Sequence, residues 1–290
     1  MRVVTWNVRG LNQAYKQKEL QVFVYRNKVG LLAIVEHSVH QKNVARVVKQ
    51  VVPRRQWQHN YQVGGKRRIW VVWDARLCDF SVIQPTPQHI HGYLKIHVNN
   101  MAFHLTVIDG LHSIQDRKPL WEDLMNIAGL MSTPWLVMCD FNAIMHVHYR
   151  THGPPVQDPK IKDFCDCMID SGMEEMKSVG RDFTWTNHHT YNRIDRALVN
   201  ATWVQNWPHL ETHVLDLSFS DHSPLSVQIE DGTSPGGKPF KYFDYMMKHP
   251  QFMELVNKAW SLNASGDSMQ RLRKKIKNVQ LAMNELNRRE

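Results

Sequence analysis

Apolar positions along this chain follow two periods, near two residues in some stretches and near 3.6 in others, and the switches between them predict its elements. Arg2 to Trp6 is a short run of β-forming residues that stops at Asn7-Val8-Arg9-Gly10, where glycine lets the chain turn. Leu20, Phe23 and Val24 give Lys16 to Asn27 a helical spacing, and the wholly apolar Val29 to Val35 predicts a buried strand ending at Glu36. Val44 to Val51 predicts another helix. The period then becomes two: Arg68 to Trp73, Phe80 to Ile83, Gly92 to Val98 and Ala102 to Ile108 predict strands, with Gly64-Gly65 and Asn99-Asn100 as turns, so antiparallel hairpins are expected. The Gly65-Lys66-Arg67-Arg68 turn is basic; it reads either as a contact to a phosphate backbone or as a solvated loop.

Asp116 to Gly129 predicts an amphipathic helix with Leu120, Trp121, Leu124 and Ile127 inward and Arg117 near its start, where a cation can meet a phosphate. Trp135 to Met138 reads as a buried strand leading into Cys139-Asp140-Phe141-Asn142, and His146 to Asp158 as a loop. A helix over Ile161 to Ser171 and strands at Phe183 to Trp185, Leu210 to Leu217 and Leu225 to Ile229 follow; the last two flank Asp221-His222. Glu230 to Lys238 turns to Asp, Gly, Ser and Pro and reads as a linker. Two helices are predicted beyond it, Pro250 to Leu262 and Ser268 to Arg289. In the second, Leu272, Ile276, Val279, Met283 and Leu286 form an apolar seam, which needs the preceding helix, a helical partner or a further C-terminal domain to cover it. The expected plan is a catalytic domain over 1–230, a linker over 231–248 and a basic helical extension over 249–290.

Composition narrows the class. With 290 residues, 42% of them hydrophobic, and ten Trp, the chain can bury a large core and disorder is not expected. Its net charge of +9 favours a polyanionic partner. From Arg271 to Glu290 seven basic residues stand against two acids, which is +5, so the rest carries only +4 and reads as a mildly basic catalytic body with a basic tail. Four cysteines (Cys78, Cys139, Cys165, Cys167) give no disulfide framework, and Cys165 and Cys167, one residue apart, read as buried thiols. The chain enters a strand pattern at once and shows no apolar run of spanning length; a soluble intracellular protein, in the nucleus, is expected, with no membrane contact.

The chemistry gathers at strand ends. Asn7, Glu36, Asp140, Asn142, Asp195, Asp221 and His222 supply four carboxylates, two amides and an imidazole, if Asp195, which lies between Arg193 and Arg196, is not simply their salt-bridge partner. Alone, Asn7 would read as a turn residue and Glu36 as a surface acid. Hard oxygen donors without Cys point to Mg²⁺ or Mn²⁺. Such a cation polarises a phosphoryl oxygen while a further carboxylate prepares a water, which suits phosphodiester hydrolysis.

Trp6-Asn7, Glu36, Asp140-Phe141-Asn142, Arg193-Ile194-Asp195 and Ser220-Asp221-His222-Ser223-Pro224-Leu225, in that order, resemble the endonuclease/exonuclease/phosphatase superfamily typified by deoxyribonuclease I. More narrowly, Trp6 to Leu11, Arg68 to Asp74, Phe183 to Asn187, Asp195 to Asn200 and Pro239 to Trp260 are similar to the N-terminal endonuclease of plant LINE-type (non-LTR) retrotransposon polyproteins and its connector. The resemblance implies an α/β (α+β) fold, a four-layer α/β/β/α sandwich of two mixed β-sheets, here with a C-terminal helical extension. It implies that Glu36 holds the metal with Asn7 and Asp221 in its shell. Asp140 would orient or deprotonate the attacking water with Asn142 assisting, and His222, oriented by Asp195, would contact the scissile phosphate. Arg117 sits where the family often contacts phosphate; Arg9, Lys66, Arg67 and Arg68 are expected to bind DNA.

Two positions depart from that pattern. Asp109 stands where the family usually has Tyr, and a carboxylate facing phosphate costs about 1 to 4 kcal/mol at about 4 Å. Cys139 replaces the usual Gly before Asp140. The expected function is a metal-dependent endonuclease that nicks DNA, weakened by Asp109; the alternatives are an inactive nucleic-acid-binding remnant and a phosphatase of small phosphoesters on the same fold.

Overall fold

Two mixed β-sheets lie face to face, each covered on its outer side by helices, which gives four layers in the order α/β/β/α. The computed structural model describes residues 1–61, 69–156, 159–229, 250–263 and 268–289. In chain order the elements begin β1 (Arg2–Asn7), α1 (Ala14–Arg26), β2 (Val29–Val35), α2 (Val44–Val51), β3 (Gln56–His59), β4 (Trp70–Trp73), β5 (Cys78–Pro85), β6 (His89–Ile96) and β7 (Ala102–Asp109). Then come α3 (Ile114–Leu130), β8 (Trp135–Asp140), β9 (Arg150–Thr151), α4 (Pro159–Asp170), β10 (Met173–Glu175), β11 (Ser178–Gly180) and β12 (Trp185–Thr186). The body closes with β13 (Tyr191–Asn192), β14 (Asp195–Asn200), α5 (Ala201–Asn206), β15 (Thr212–Val214) and β16 (Leu225–Gln228). The first sheet runs β11-β15-β16-β1-β2-β4-β3, the second β10-β14-β8-β7-β6-β5, and β12-β13-β9 form a small ribbon.

Period two decides what reaches the site. In β1, Val4 and Trp6 join Leu20 and Val24 of α1 and Val44 and Val48 of α2 in the outer core, which leaves Val3, Thr5 and Asn7 facing the second sheet. In β8, Trp135 and Val137 join Leu120 and Leu124 of α3 and Phe164 of α4, which leaves Asp140 facing the first sheet. Ile108 and Leu198 also lie on that helical side, so Asp109 and Asp195 face inward as well. Register then aligns them, because Asp140 pairs with Asp195 across β8 and β14 and with Asp109 across β7 and β8.

Several expectations need correction. Gln56-Trp57-Gln58-His59, with one apolar residue in four, gave no strand signal, yet it forms the edge strand β3 against β4. The predicted strand over Phe183 to Trp185 forms at Trp185–Thr186, and just before it Thr184 Oγ1 accepts from the backbone N–H groups of Ile194 and Asp195. Leu210 to Leu217 shortens to β15, and the expected loop over His146 to Asp158 contains β9, paired to β13. The unforeseen α5 starts at Asn200, whose side chain caps it by accepting from Trp203 N–H at 3.0 Å. Cys78, Cys139 and Cys167 are buried thiols, but Cys165 is only half-buried. Lys66, Arg67, Arg68, the Gly64-Gly65 turn and the linker lie outside the described residues.

The chain divides into two compact units, Met1–Pro235 and Gly236–Glu290. In the second, α6 (Phe252–Ser261) and α7 (Ser268–Arg289) pack through Met283 and Val279 onto Phe252, Leu255 and Val256. The preceding helix therefore covers the seam at Val279 and Met283, while Leu272 and Ile276 are 42% and 54% exposed. No described helix is long and apolar enough to cross a membrane.

Two buried imidazoles on β6 should each draw on stability as pH falls. Burial, reinforced by neighbouring imidazole, lowers His89 and His91 from 6.5 to about 4; His91 Nδ1 lies 2.8 Å from Thr106 Oγ1. The unfolded chain takes up these protons below its pKa of 6.5 and the folded chain resists until about 4, so stability is held above that window and falls with pH inside it. Each ring should remove about 2 kcal/mol between about pH 7 and about pH 5. By urea unfolding, His91→Gln should lose correspondingly less than wild type over that interval; equal losses would contradict the assignment.

Candidate active site

Six connections meet where β1, β2, β7 and β8 end and β14 and β16 begin. The turn after β1 is zipped to the turn after β2: Val8 N–H donates to Val35 O, Gly10 N–H to Glu36 O and Leu11 N–H to His37 O, at 3.2, 2.8 and 2.7 Å. Both turns need left-handed backbone, at Arg9 (φ 46°) and Glu36 (φ 50°), and Asn7 Oδ1 steadies the first by accepting from Arg9 N–H at 3.1 Å. Arg9 is thereby aimed across the gap. Its Nη1 donates to Glu36 Oε2 at 3.0 Å and its Nε to Asp221 Oδ2 at 3.2 Å, so two acids 185 positions apart share one planar guanidinium. Burial works against the charged guanidinium, and the two carboxylates more than offset it, raising its pKa.

Asp221 is held from the other side by Trp185 Nε1–H at 3.0 Å. Its loop is pinned by Ser220, whose hydroxyl donates to Asn7 O at 2.7 Å, and by Trp6 Nε1–H, which donates to His222 O at 2.9 Å. Next to it lies a buried row of charge. His222 Nδ1 contacts Asp195 Oδ2 at 2.9 Å, and His222 Nε2 faces Asp140 Oδ2 at 3.9 Å. Burial opposes the imidazolium, but Asp195 and then Asp140 outweigh it and raise His222 to about 9. Burial and the Asp195 charge raise Asp140 to about 7 in spite of His222 and a 2.9 Å hydrogen bond from Asn7 Nδ2.

Asp195 is free for this role because its flanking arginines point to the other face of β14. There Glu175 of β10 takes both: Arg193 Nη2 and Arg196 Nη1 each lie 2.6 Å from its carboxylate, and Arg196 also stacks on Tyr149 at 4.6 Å. The Asp140 loop is equally determined. Asn142, at φ 49°, donates N–H to Asp140 Oδ1 at 2.8 Å and Nδ2 to Gly110 O at 2.7 Å. Its Oδ1 lies 3.3 Å from His112 Nδ1. Cys139 adopts φ 107°, a glycine-type conformation that costs other residues about 1 to 3 kcal/mol. Arg117 is buried and donates Nη1 to Leu111 O and His112 O at 2.8 and 2.9 Å, pinning the loop after β7. Asp109 is entirely buried beside Asp140, beneath the rim.

No protein-family model matches the sequence, and no curated protein matches it. Solved structures do. A 3′ phosphatase from Neisseria, NExo, bound to a product DNA hairpin, is 16% identical with a TM-score of 0.60, over 79% of this chain and 99% of that one. The AP endonuclease LMAP from Leishmania major is 13% identical with a TM-score of 0.61, over 78% of this chain and 86% of that one. The endonuclease domain of TRAS1, a telomere-specific non-LTR retrotransposon, is 12% identical with a TM-score of 0.59, over 79% and 97%. The chain has the deoxyribonuclease I-like fold.

In this deoxyribonuclease I-like fold the sequence-derived residues fall into two neighbouring groups. Glu36 and Asp221 face the Arg9 cation, which marks their gap as a cradle for positive charge; two hard carboxylates there suit Mg²⁺ or Mn²⁺. Asp140, Asp195 and His222 are a second set whose ligand atoms all lie within 4.8 Å of one another. There Asp195 occupies His222 Nδ1 and both acids favour the imidazolium, so a proton suits this group better than a metal ion. Asn7 sits between the groups and its amide turns to Asp140. Trp185, Ser220 and His112 were not anticipated as site residues. Trp185 lay in a run that reads only as a strand, and nothing local signals where its indole points.

Proposed function

We propose that this chain is a metal-dependent phosphodiesterase that nicks DNA, of the kind found in non-LTR retrotransposons, acting in the nucleus. The observation that carries this reading is a buried Asp140, raised towards neutrality, facing a His222 that Asp195 holds, beside a separate two-carboxylate cradle. Asp140, which Asn7 and Asn142 orient, takes the proton of the attacking water; a base whose pKa lies near the working pH is well matched to that step. His222, protonated and locked by Asp195, offers Nε2–H to a phosphoryl oxygen as charge develops there. Glu36 and Asp221 would hold Mg²⁺ or Mn²⁺, which would supply Lewis-acid neutralisation of the phosphate. The net charge of +9 favours a nucleic-acid substrate, and the three similar structures are a phosphatase bound to product DNA and two endonucleases.

Relaxation of supercoiled plasmid tests the reading. With Mg²⁺ or Mn²⁺ the folded protein should yield nicked circles, and chelation should stop it. Salt-sensitive DNA binding without nicking would select the inactive remnant, and turnover of small phosphoesters alone would select the phosphatase.

A further inference from the structure

We infer that Arg9 is an exchangeable counter-ion of the metal cradle: its guanidinium keeps Glu36 and Asp221 together before a divalent cation arrives, and it must leave for that cation to bind. The inference rests on the metal reading above. Arg9 is no incidental surface pair. Its backbone is fixed by the Asn7 side chain at 3.1 Å, by the Gly10 N–H bond to Glu36 O, and by Lys16 Nζ, which donates to Arg9 O at 2.9 Å. That scaffold aims one planar fork at both acids at once. A guanidinium and a divalent ion in contact with the same two carboxylates repel each other, so binding one disfavours the other.

The displaced group has somewhere to go. Arg9 is 39% exposed at the mouth, and a guanidinium fork suits the paired oxygens of a phosphodiester. Arrival of the metal would thus trade the two acids for the substrate backbone and make Arg9 a binding residue only in the loaded site. The free protein would hold metal weakly for the same reason.

Titration calorimetry of the full chain with Mn²⁺, without DNA, reads the exchange directly. Arg9→Gln should tighten Mn²⁺ by about tenfold or more, because the competing charge is gone, whereas Arg9→Lys, which keeps it, should stay within about threefold of wild type. Adding Glu36→Gln to Arg9→Gln should abolish the gain. Circular dichroism confirms that each variant is folded. Unchanged or weaker Mn²⁺ binding by folded Arg9→Gln, or equal gains in the Gln and Lys variants, would overturn the inference while leaving the metal reading standing. Absence of Mn²⁺ binding in wild type and every variant would overturn the metal reading itself and the inference with it.

Discussion

Replacing Asp140 by asparagine should lower plasmid nicking by about 10²- to 10⁴-fold with the fold intact, the range for loss of a positioned general base. Asparagine preserves the shape but cannot take a proton. Folding should tolerate it, because the raised pKa of Asp140 means that its surroundings already disfavour the charged form, burial first and Asp195 second. Nicking rates at saturating Mg²⁺ and a thermal melt on the same preparation check both halves. A folded Asp140→Asn protein that retains activity within about tenfold of wild type would remove Asp140 from the chemistry.

The largest stability loss is expected away from the rim, at Glu175. Its carboxylate is the shared partner of Arg193 and of Arg196, whose side chain has no exposed surface. Glu175→Ala leaves that guanidinium buried without an anion, which typically costs about 3 to 5 kcal/mol. For a unit the size of Met1–Pro235, this should lower the melting temperature by about 6 to 20 °C. Activity measured well below the transition should suffer less, because Glu175 acts on the opposite face of β14 from Asp195. A change of only a degree or two would show that Tyr149 stacking and the Arg193 carbonyl suffice for Arg196.

Most strand ends were legible in the sequence. Asn7, Glu36 and Asp140 close apolar runs; alternation along the run delivers Asn7 and Asp140 to the rim, whereas Glu36 reaches it through the left-handed turn after β2. Asp195 was ambiguous, because its neighbours Arg193 and Arg196 look like partners until β14 sends them to the other face, towards a Glu175 that local pattern does not connect to them. The Arg9 bridge was illegible as geometry. It depends on left-handed backbone at two residues other than glycine, for which no composition signal exists. Cys139 was visible as a departure from the family's Gly, and its φ of 107° supplies the physical reason that glycine is favoured there. The place of Arg117 near a helix start suggests a phosphate contact; its side chain is buried and bonded to two carbonyls of the preceding loop. The seam of α7 is readable as periodicity, but periodicity cannot say that Val279 and Met283 meet α6 while Leu272 and Ile276 stay exposed.

The central claim is that Glu36 and Asp221 act together as one cation cradle. A double-mutant cycle on Mn²⁺ affinity, with wild type, Glu36→Gln, Asp221→Asn and the double variant, tests it most directly. Each single change should weaken binding by about tenfold or more, and the double change should weaken it by clearly less than the product of the two, because one ion loses one site. Independent, fully multiplicative losses, or undiminished Mn²⁺ affinity in both single variants, would contradict it.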